Sequence, residues 1–160
     1  MKTLIAISDT HGNKKGVDGL VPLIDENDYV IHLGDGFADY RDVFSAYAKK
    51  AYLCRGNCDF FSALPEEGVL EVEQVRIFYC HGHRYGVKGD LTRLAYRAKE
   101  LDCSVALYGH THVPLVQELG GVTLVNPGSL RFPLYQGGSY AYLVVNGEKV
   151  TAVIVGNSLQ

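Results

Sequence analysis

The sequence lacks any hydrophobic run long enough to cross a membrane. Its longest unbroken hydrophobic run is six residues, from Tyr140 to Val145, whereas a membrane-spanning helix needs about 20. The apolar stretch near the amino terminus, Thr3 to Ile7, is likewise too short for a secretory signal. We therefore expect neither a membrane-spanning segment nor a membrane partner.

A paired-cysteine motif is also missing. The four cysteines, at positions 54, 58, 80 and 103, contain no Cys-x-x-Cys spacing, which excludes a zinc ribbon and a dithiol redox site. Free thiols in a chain without an export signal are typical of the reducing cytoplasm. We therefore expect a cytoplasmic location.

Strong charge of either sign is absent as well. The net charge is −3 in 160 residues, and no run of five Lys or Arg residues occurs. The chain therefore has no overall electrostatic attraction for long nucleic acid or anionic lipid. The hydrophobic content of 47% excludes a disordered chain. The length suits about one domain. Because no linker or internal repeat divides the sequence, we predict a single domain over residues 1–160.

The first half of the sequence alternates short apolar runs with helical patterns. Three runs each stop at a polar, glycine-containing loop, as buried strands do: Thr3–Ile7, Tyr29–Leu33 and Ala51–Cys54. Apolar spacing predicts helices over residues 37–47 and 91–101, the second with Asp90 as its N-cap. A helix over residues 14–24 is interrupted by Gly16, Gly19 and Pro22.

The second half is dominated by hairpins. Strand pairs are predicted over residues 69–73 and 75–80, over 114–119 and 122–125, and over 139–145 and 148–155. Strand–helix alternation followed by hairpins favours mixed sheets with helices outside. We therefore predict an α/β fold in which two mixed sheets pack face to face and helices cover their outer faces.

Metal-ligand residues stand at the ends of five candidate strands. In chain order these ends are Asp9-Thr10-His11, Gly34-Asp35, Gly56-Asn57, His81-Gly82-His83 and Gly109-His110-Thr111-His112. Ligand sites in open sheets lie beyond the carboxyl ends of strands, so the five loops should converge on one crevice. In an extended or turning segment, residues i and i+2 can point the same way. Each Asp-x-His or His-x-His pair can therefore face one metal ion.

The residue types narrow the choice of metal. Imidazole, carboxylate and one amide oxygen, without an obligatory thiolate, suit Mn²⁺, Fe²⁺, Ni²⁺ or Zn²⁺. A carboxylate can bridge two ions about 3.5–4 Å apart. One aspartate between two sets of histidines thus suggests a two-metal site.

Simpler interpretations apply to some of these residues. A lone aspartate at a strand end is usually a turn or cap residue. Chance is nevertheless a poor explanation for metal-ligand residues at all five strand ends. His32, inside the run Tyr29–Leu33, is more typical of a hydrogen-bonded core histidine than of a ligand. The remaining cysteines beside apolar segments are typical of small core residues: Cys54, Cys80 and Cys103.

The ordered motifs Asp-x-His, Gly-Asp, Gly-Asn-x-Asp, His-Gly-His and Gly-His-x-His resemble those of the calcineurin-like metallophosphoesterase superfamily. The match is closest to its small prokaryotic branch, the YfcE-type phosphodiesterases, to which the eukaryotic retromer subunit of vacuolar sorting is also similar. It runs from Ser8 to Ser129 and covers most of the chain. The resemblance implies a four-layer α/β/β/α sandwich, which agrees with the two-sheet prediction.

The resemblance also implies two divalent metal ions and their ligands. One ion would be bound by Asp9, His11, Asp35 and His112, and the other by Asp35, Asn57, His81 and His110, with Asp35 as the bridge. In the superfamily these ions polarise the phosphoryl group and present a metal-bridging hydroxide for in-line attack. We expect Mn²⁺ first, with Ni²⁺, Fe²⁺, Zn²⁺ or Mg²⁺ as alternatives.

Two further loop residues are catalytic candidates. Cys58 stands where the wider superfamily has a histidine that stabilises the transition state or protonates the leaving group. A thiol is a weaker donor than an imidazolium, so efficient hydrolysis of esters with poor leaving groups is not expected. His83 is expected beside the substrate phosphate or behind the ligands, because the resemblance gives the metal to His81.

Together these features predict a two-metal phosphodiesterase acting on a small phosphoester, with a phosphomonoesterase as the alternative. A rival of another class is a non-catalytic or weakly catalytic protein-binding scaffold, since the sorting subunit keeps this fold mainly as a binding surface. The presence of all seven ligand residues favours an enzyme. The acidic balance argues against a nuclease for long nucleic acid. A homo-oligomer is compatible with the sequence.

Overall fold

Two β-sheets stand at the centre of the structure. The computed structural model describes residues 1–60, 62–131 and 138–156. Its strands are β1 (Lys2–Ile7), β2 (Tyr29–His32), β3 (Ala51–Leu53), β4 (Glu67–Val72), β5 (Val75–Cys80), β6 (Val105–Leu107), β7 (Leu115–Leu119), β8 (Val122–Asn126), β9 (Ser139–Asn146) and β10 (Lys149–Gly156). The first sheet has the order β10-β9-β1-β2-β3, and the second has the order β4-β5-β6-β8-β7.

Both sheets are mixed, as the sequence predicts. In the first sheet, β1, β2 and β3 run parallel and β9 runs antiparallel to β1. In the second, β5, β6 and β8 run parallel, with β4 and β7 as antiparallel edges. The three predicted hairpins are β4–β5, β7–β8 and β9–β10. Parallel strands point their carboxyl ends to one edge of a sheet, which is where ligand sites form.

A hydrophobic core fills the space between the sheets. Leu4 and Ala6 of β1 are fully buried there, in one cluster with Ile77 of the second sheet. The alternating residues Ile5 and Ile7 belong to a different buried cluster, on the other face of the sheet. Because both faces of β1 are buried, its apolar run is continuous and does not alternate with polar residues.

Helices cover the outer face of each sheet. They are α1 (Lys14–Gly19), α2 (Val21–Glu26), α3 (Phe37–Ala46) and α4 (Thr92–Glu100). Val17, Ile24 and Tyr40 of the first three helices are buried against the first sheet, and Leu94 of α4 is buried against the second. The predicted four-layer α/β/β/α sandwich is therefore confirmed. None of the helices that the structure describes has the length and apolar character needed to cross a membrane.

The helix predicted over residues 14–24 is two short helices. Leu20 ends α1 and directly precedes α2, and Pro22 lies in the first turn of α2. Inside a helix, each backbone N–H donates to a carbonyl one turn earlier, and proline has no N–H to donate. In the first turn of a helix the N–H groups have no such partner, so proline is tolerated there. The chain therefore starts a new helix at Val21, one residue before this proline.

The start of α4 also differs from its prediction. Leu91 is the residue before the helix, so Asp90 is not the N-cap. The Asp90 carboxylate nevertheless accepts a hydrogen bond from the Thr92 amide at 2.9 Å. It thereby satisfies one of the amides that a helix start leaves without a backbone partner.

Candidate metal centre

The loops after five strands meet at one edge of the two sheets. These loops follow β1, β2, β3, β5 and β6. The Asp9 amide donates to the Gly34 carbonyl at 3.0 Å, and the Gly109 amide donates to the His81 carbonyl at 2.9 Å. Between the sheets, the His110 amide donates to the Asp9 carboxylate at 3.0 Å. The predicted convergence of the five strand ends is therefore present.

Left-handed backbone conformations mark the loops that converge. The φ angles of five candidate ligands lie between 41° and 70°: Asp9, His11, Asp35, His110 and His112. Residues with a Cβ atom rarely adopt this conformation, and such strain concentrates at functional sites. The chain bends sharply at each of these residues, which brings the side chains of the Asp-x-His and His-x-His pairs to the same place.

Asp9, His11 and His112 form the first ligand cluster. Their ligand atoms all lie within 4.8 Å of one another. Asp9 Oδ1 is 3.1 Å from His112 Nε2 and 3.5 Å from His11 Nε2. Two imidazole nitrogens and a carboxylate oxygen at this spacing can bind one divalent transition-metal ion.

Asp35, His81 and His110 form the second ligand cluster. His81 Nδ1 is 2.7 Å from the Leu33 carbonyl oxygen, which can only accept, so Nδ1 carries the proton. In neutral His81 this leaves Nε2 as the lone-pair donor, 3.2 Å from Asp35 Oδ2 and 3.2 Å from His110 Nδ1. Asn57 Oδ1 is 2.9 Å from the same nitrogen. The Leu33 carbonyl thus fixes the orientation of the His81 ring. Metal-binding histidines usually donate their other ring N–H to such an acceptor.

Asp35 lies between the two clusters. Its Oδ2 atom is 3.2 Å from His81 Nε2 in one cluster and 3.8 Å from His11 Nε2 in the other. Its Oδ1 atom accepts a hydrogen bond from the Cys58 amide at 2.7 Å. Asp9 Oδ1 likewise lies 3.9 Å from His81 Nε2. Both carboxylates are therefore near both clusters, and Asp35 is the bridge that the resemblance implies.

The charge of the clusters fits bound cations. Burial by itself would raise the pKa of the Asp9 carboxyl group, but hydrogen bonds with His11 and His112 outweigh it and hold this pKa well below its usual range. Burial opposes ionisation of Asp35 in the same way, and the interaction with His81 outweighs it, so the pKa of Asp35 is lowered. Both carboxylates are ionised at neutral pH. Two buried negative charges surrounded by nitrogen donors favour divalent metal ions.

Comparison with known sequences agrees with this chemistry. The profile of the calcineurin-like phosphoesterase superfamily domain matches residues 1–148. The chain belongs to this superfamily.

Two relatives within the superfamily illustrate the similarity. Probable metallophosphoesterase YsnB of Bacillus subtilis strain 168 is 33% identical over 151 residues, covering 92% of this chain and 87% of YsnB. Phosphodiesterase YfcE of Escherichia coli K12 is 29% identical over 182 residues, covering 98% of this chain and 94% of YfcE.

Solved structures show the same fold. A conserved uncharacterised protein of Streptococcus pneumoniae TIGR4, described as a predicted phosphoesterase, superposes with a TM-score of 0.83 at 26% identity, covering 97% of this chain and 89% of that one. Vps29 of Entamoeba histolytica, solved with Zn²⁺, superposes with a TM-score of 0.75 at 24% identity, covering 96% and 98%. At that identity, the likeness to Vps29 is a likeness of fold.

Cys58 lies beside both clusters. Its sulfur and the ligand atoms of His11 and Asp35 lie within 4.8 Å of one another. The side chain is exposed. Partial desolvation and the Asp35 charge raise the pKa of the Cys58 thiol, so it is protonated at neutral pH. A protonated thiol can donate a weak hydrogen bond but is a poor nucleophile.

His83 lies next to the second cluster, in the 3-10 helix His83–Tyr85. Its ring centroid is 5.4 Å from that of His81 and 6.1 Å from that of His110. Its Nδ1 atom is buried and has no hydrogen-bond partner within the described residues. The His83 ring therefore packs beside the second cluster and outside it.

Asp59 holds two of the ligand loops together, a role that the sequence reasoning did not assign. Its carboxylate accepts hydrogen bonds at 2.8 to 3.1 Å from the backbone amides of four residues: Asp35, Gly36, Phe37 and Gly56. These amides belong to the loops after β2 and β3. The available signal was an aspartate in the glycine-containing loop of Asn57, since aspartates in such loops often accept backbone hydrogen bonds.

His32 supports the metal-site loops from behind. It is fully buried, and its Nδ1 accepts a hydrogen bond from the Gly34 amide at 3.0 Å, so the proton is on Nε2. Nε2 lies 3.1 Å from the Thr10 hydroxyl oxygen, and the Thr10 hydroxyl donates to the Asp39 carboxylate at 2.8 Å. The prediction of a hydrogen-bonded core histidine is confirmed.

Replacing His32 by glutamine is expected to reduce the loss of stability at acidic pH. Burial lowers the pKa of His32 to about 4 in the folded protein. An unfolded chain has the ordinary value near 6.5, so it binds more protons between these two pH values, and His32 lowers the free energy of unfolding by roughly 3 kcal/mol as the pH falls from about 6.5 to about 4. Urea unfolding of metal-free protein over this range should show a shallower pH dependence in His32→Gln. Equal pH dependence in both proteins would contradict this assignment.

Proposed function

We propose that this phosphoesterase is a two-metal phosphodiesterase that hydrolyses small phosphodiesters. The proposal is carried by one observation: all seven predicted ligand side chains lie together, in two adjoining clusters with Asn57 beside His81 and Asp35 near His11. The proposed ligands of one ion are Asp9, His11, Asp35 and His112, and those of the other are Asp35, Asn57, His81 and His110. A protein that does not bind the metals would not need all seven ligand residues.

The donor set favours Mn²⁺ as the ion, with Ni²⁺, Fe²⁺, Zn²⁺ and Mg²⁺ as further candidates. When bound, two such ions stabilise negative charge on a phosphoryl group and provide a water molecule of lowered pKa for in-line attack. Residues of the chain itself hold the ligands and their loops in position. Asp35 supplies negative charge between the two ion positions, and the Leu33 carbonyl fixes the orientation of His81. Asp59 keeps the loops of Asp35 and Asn57 at their separation.

Cys58 and His83 are the proposed contacts to the substrate. Cys58 lies next to Asp35 on the exposed side of the site, at the position where the superfamily's histidine acts on the leaving group. Its thiol gives little help to a poor leaving group, because a thiol is a weak hydrogen-bond donor. His83 lies beside the second cluster, with its ring centroid 5.4 Å from that of His81, close enough for the side chain to contact a phosphoryl group bound there.

A phosphodiester is preferred over a phosphomonoester as the proposed substrate. Phosphodiesterase YfcE, a relative over nearly the whole chain, carries that activity in its name. The net charge of −3 favours a compact substrate over long nucleic acid. The free thiols of all four cysteines fit a cytoplasmic setting, and a homo-oligomer is compatible with the proposal.

A protein-binding scaffold of the same fold is the second candidate function. Two large apolar side chains are exposed on loops of the site: Phe60 is 76% exposed in the loop of Asn57, and Val113 is 44% exposed next to His112. A partner protein could cover these residues. The likeness of fold to Vps29 is consistent with this alternative.

The deciding experiment is a substrate panel. Metal-stripped protein is reloaded with Mn²⁺, Ni²⁺, Mg²⁺ or Zn²⁺ and assayed on paired phosphomonoesters and phosphodiesters that share a leaving group. We expect metal-dependent turnover that is fastest on the diester of each pair. Metal binding without turnover of any ester would favour the scaffold, and faster monoester turnover would favour the phosphomonoesterase.

Substitutions of Cys58 should separate substrates by their leaving group. Cys58→Ala should leave hydrolysis of activated nitrophenyl esters nearly unchanged, because the thiol contributes little there. Cys58→His should accelerate hydrolysis of alkyl esters more than that of nitrophenyl esters, since a positioned general acid is worth roughly 10²–10⁴-fold where proton transfer limits the rate. The measurement is kcat/KM on both ester classes. Loss of turnover in Cys58→Ala with both metals retained would instead give the thiol a direct chemical role.

A further inference from the structure

Three ligand-type side chains from neighbouring strands meet at one edge of the first sheet. His11 follows β1, Asp35 follows β2 and Cys58 follows β3. These three strands lie side by side and parallel, so their carboxyl ends stand next to one another. The Cys58 sulfur, an Asp35 carboxylate oxygen and a His11 ring nitrogen all lie within 4.8 Å of one another.

This spacing places the three atoms within reach of one metal ion. Atoms bound to a common ion lie about 2.0–2.3 Å from it, so any two of them are at most about 4.6 Å apart. Because the Cys58 side chain is exposed, a small rotation brings its sulfur within that range. The Asp35 carboxylate and a Cys58 thiolate together carry two negative charges, which balance the charge of one divalent ion.

Two hydrogen bonds hold Cys58 beside this position. Its backbone amide donates to Asp35 Oδ1 at 2.7 Å, and its sulfur accepts a hydrogen bond from the Asn57 side-chain amide at 3.5 Å. A donor directed at the sulfur favours the thiolate form over the thiol. The other three cysteines are buried, and none of them belongs to a metal-ligand cluster within the described residues.

We infer that Cys58 is a further metal ligand, which binds the thiophilic ions Zn²⁺ and Cd²⁺ together with His11 and Asp35. Thiolate sulfur is a soft donor that favours such ions, whereas Mn²⁺ and Mg²⁺ favour oxygen ligands. The sulfur releases its proton to solvent when it binds the ion. With Mn²⁺ or Mg²⁺ the thiol keeps its proton and remains the proposed substrate contact. The inference rests on the metal centre of the proposed function but does not require turnover.

Ultraviolet absorption of the cadmium-loaded protein tests the sulfur–metal bond directly. Metal-stripped protein titrated with Cd²⁺ should develop the charge-transfer band of a thiolate–cadmium bond. Cys58→Ser, which is nearly isosteric, should lack this band. Cys103→Ser is the matched control and should keep the band, because Cys103 is buried in the hydrophobic cluster under α4. An equal band in Cys58→Ser, or no band in the unsubstituted protein, would overturn the inference.

Metal affinities distinguish a ligand from a residue that only supports the loop. By calorimetry, Cys58→Ser should raise the Kd for Zn²⁺ about 10-fold or more, because even groups that only orient a ligand are worth about 10–100-fold. The Kd for Mn²⁺ should change less than about 3-fold, since this ion does not favour sulfur. A purely structural role of Cys58 would weaken the binding of both ions equally, and that result would reject the thiolate ligand.

Turnover with Mn²⁺ separates this inference from the proposed function. Diester hydrolysis by a protein that shows no thiolate–cadmium band would reject Cys58 as a ligand and leave the phosphodiesterase in place. A clear band in a protein that hydrolyses no ester would reject the phosphodiesterase and retain Cys58 as a metal ligand.

Discussion

Asp35→Asn is expected to lower turnover more than about 100-fold and to reduce the metal content of the protein below one ion per chain. Removing a group that only orients a ligand already costs about 10–100-fold, so removing a ligand shared by two ions should cost more. The Asp35 carboxylate lies 3.2 Å from His81 Nε2 and 3.8 Å from His11 Nε2. A neutral amide in that place cannot balance the charge of two dications.

The substitution is nearly isosteric, so the fold should survive it. The asparagine carbonyl can still accept the hydrogen bond that the Cys58 amide gives to Asp35. Metal content is measured by mass spectrometry and turnover with a nitrophenyl diester. Asp42→Asn is the control, since Asp42 is 66% exposed and only distantly paired with Lys14 and Arg41. Two ions per chain and normal turnover in Asp35→Asn would refute the bridge.

His81→Ala is expected to lose metal and His83→Ala to retain it, although the two residues are only two positions apart. His81 is fully buried, and its Nε2 lies 3.2 Å from both Asp35 and His110. Its loss should empty the second ion position and lower turnover at least about 100-fold, as for other metal ligands. His83→Ala should retain the metals and change kcat or KM, because its ring lies beside the cluster and not inside it.

Metal stoichiometry and steady-state kinetics on the same preparations decide between these outcomes. Each variant serves as the other's control, because both remove an imidazole from one loop. Thermal unfolding of the metal-free proteins reports any general damage to the fold. Metal loss in His83→Ala with full occupancy in His81→Ala would reverse the assignment of the two histidines.

The sequence by itself determined the strands and their ends. A run such as Thr3–Ile7 is continuous because both of its faces are buried, and it stops at polar residues because the chain leaves the core there. Five such ends carry metal-ligand residues, which was enough to predict that they converge. The α/β class followed from the order of runs, helical patterns and hairpins, because each of these is a local pattern. The assignment of particular ligands to particular ions stays a prediction.

Only the tertiary structure decided how the loops are held together. The Asp59 carboxylate joins amides 22 to 24 residues away in the chain to the Gly56 amide of its own loop. His32 of β2 contacts Thr10 in the loop after β1. The position of Asp35 near both His81 and His11 likewise depends on how the two sheets meet. No local pattern encodes these contacts, because hydrogen bonds and packing between distant segments depend on distances that exist only after the sheets have packed. The sequence supplies the hydrogen-bond donors and acceptors, and the packing of the two sheets determines which of them pair.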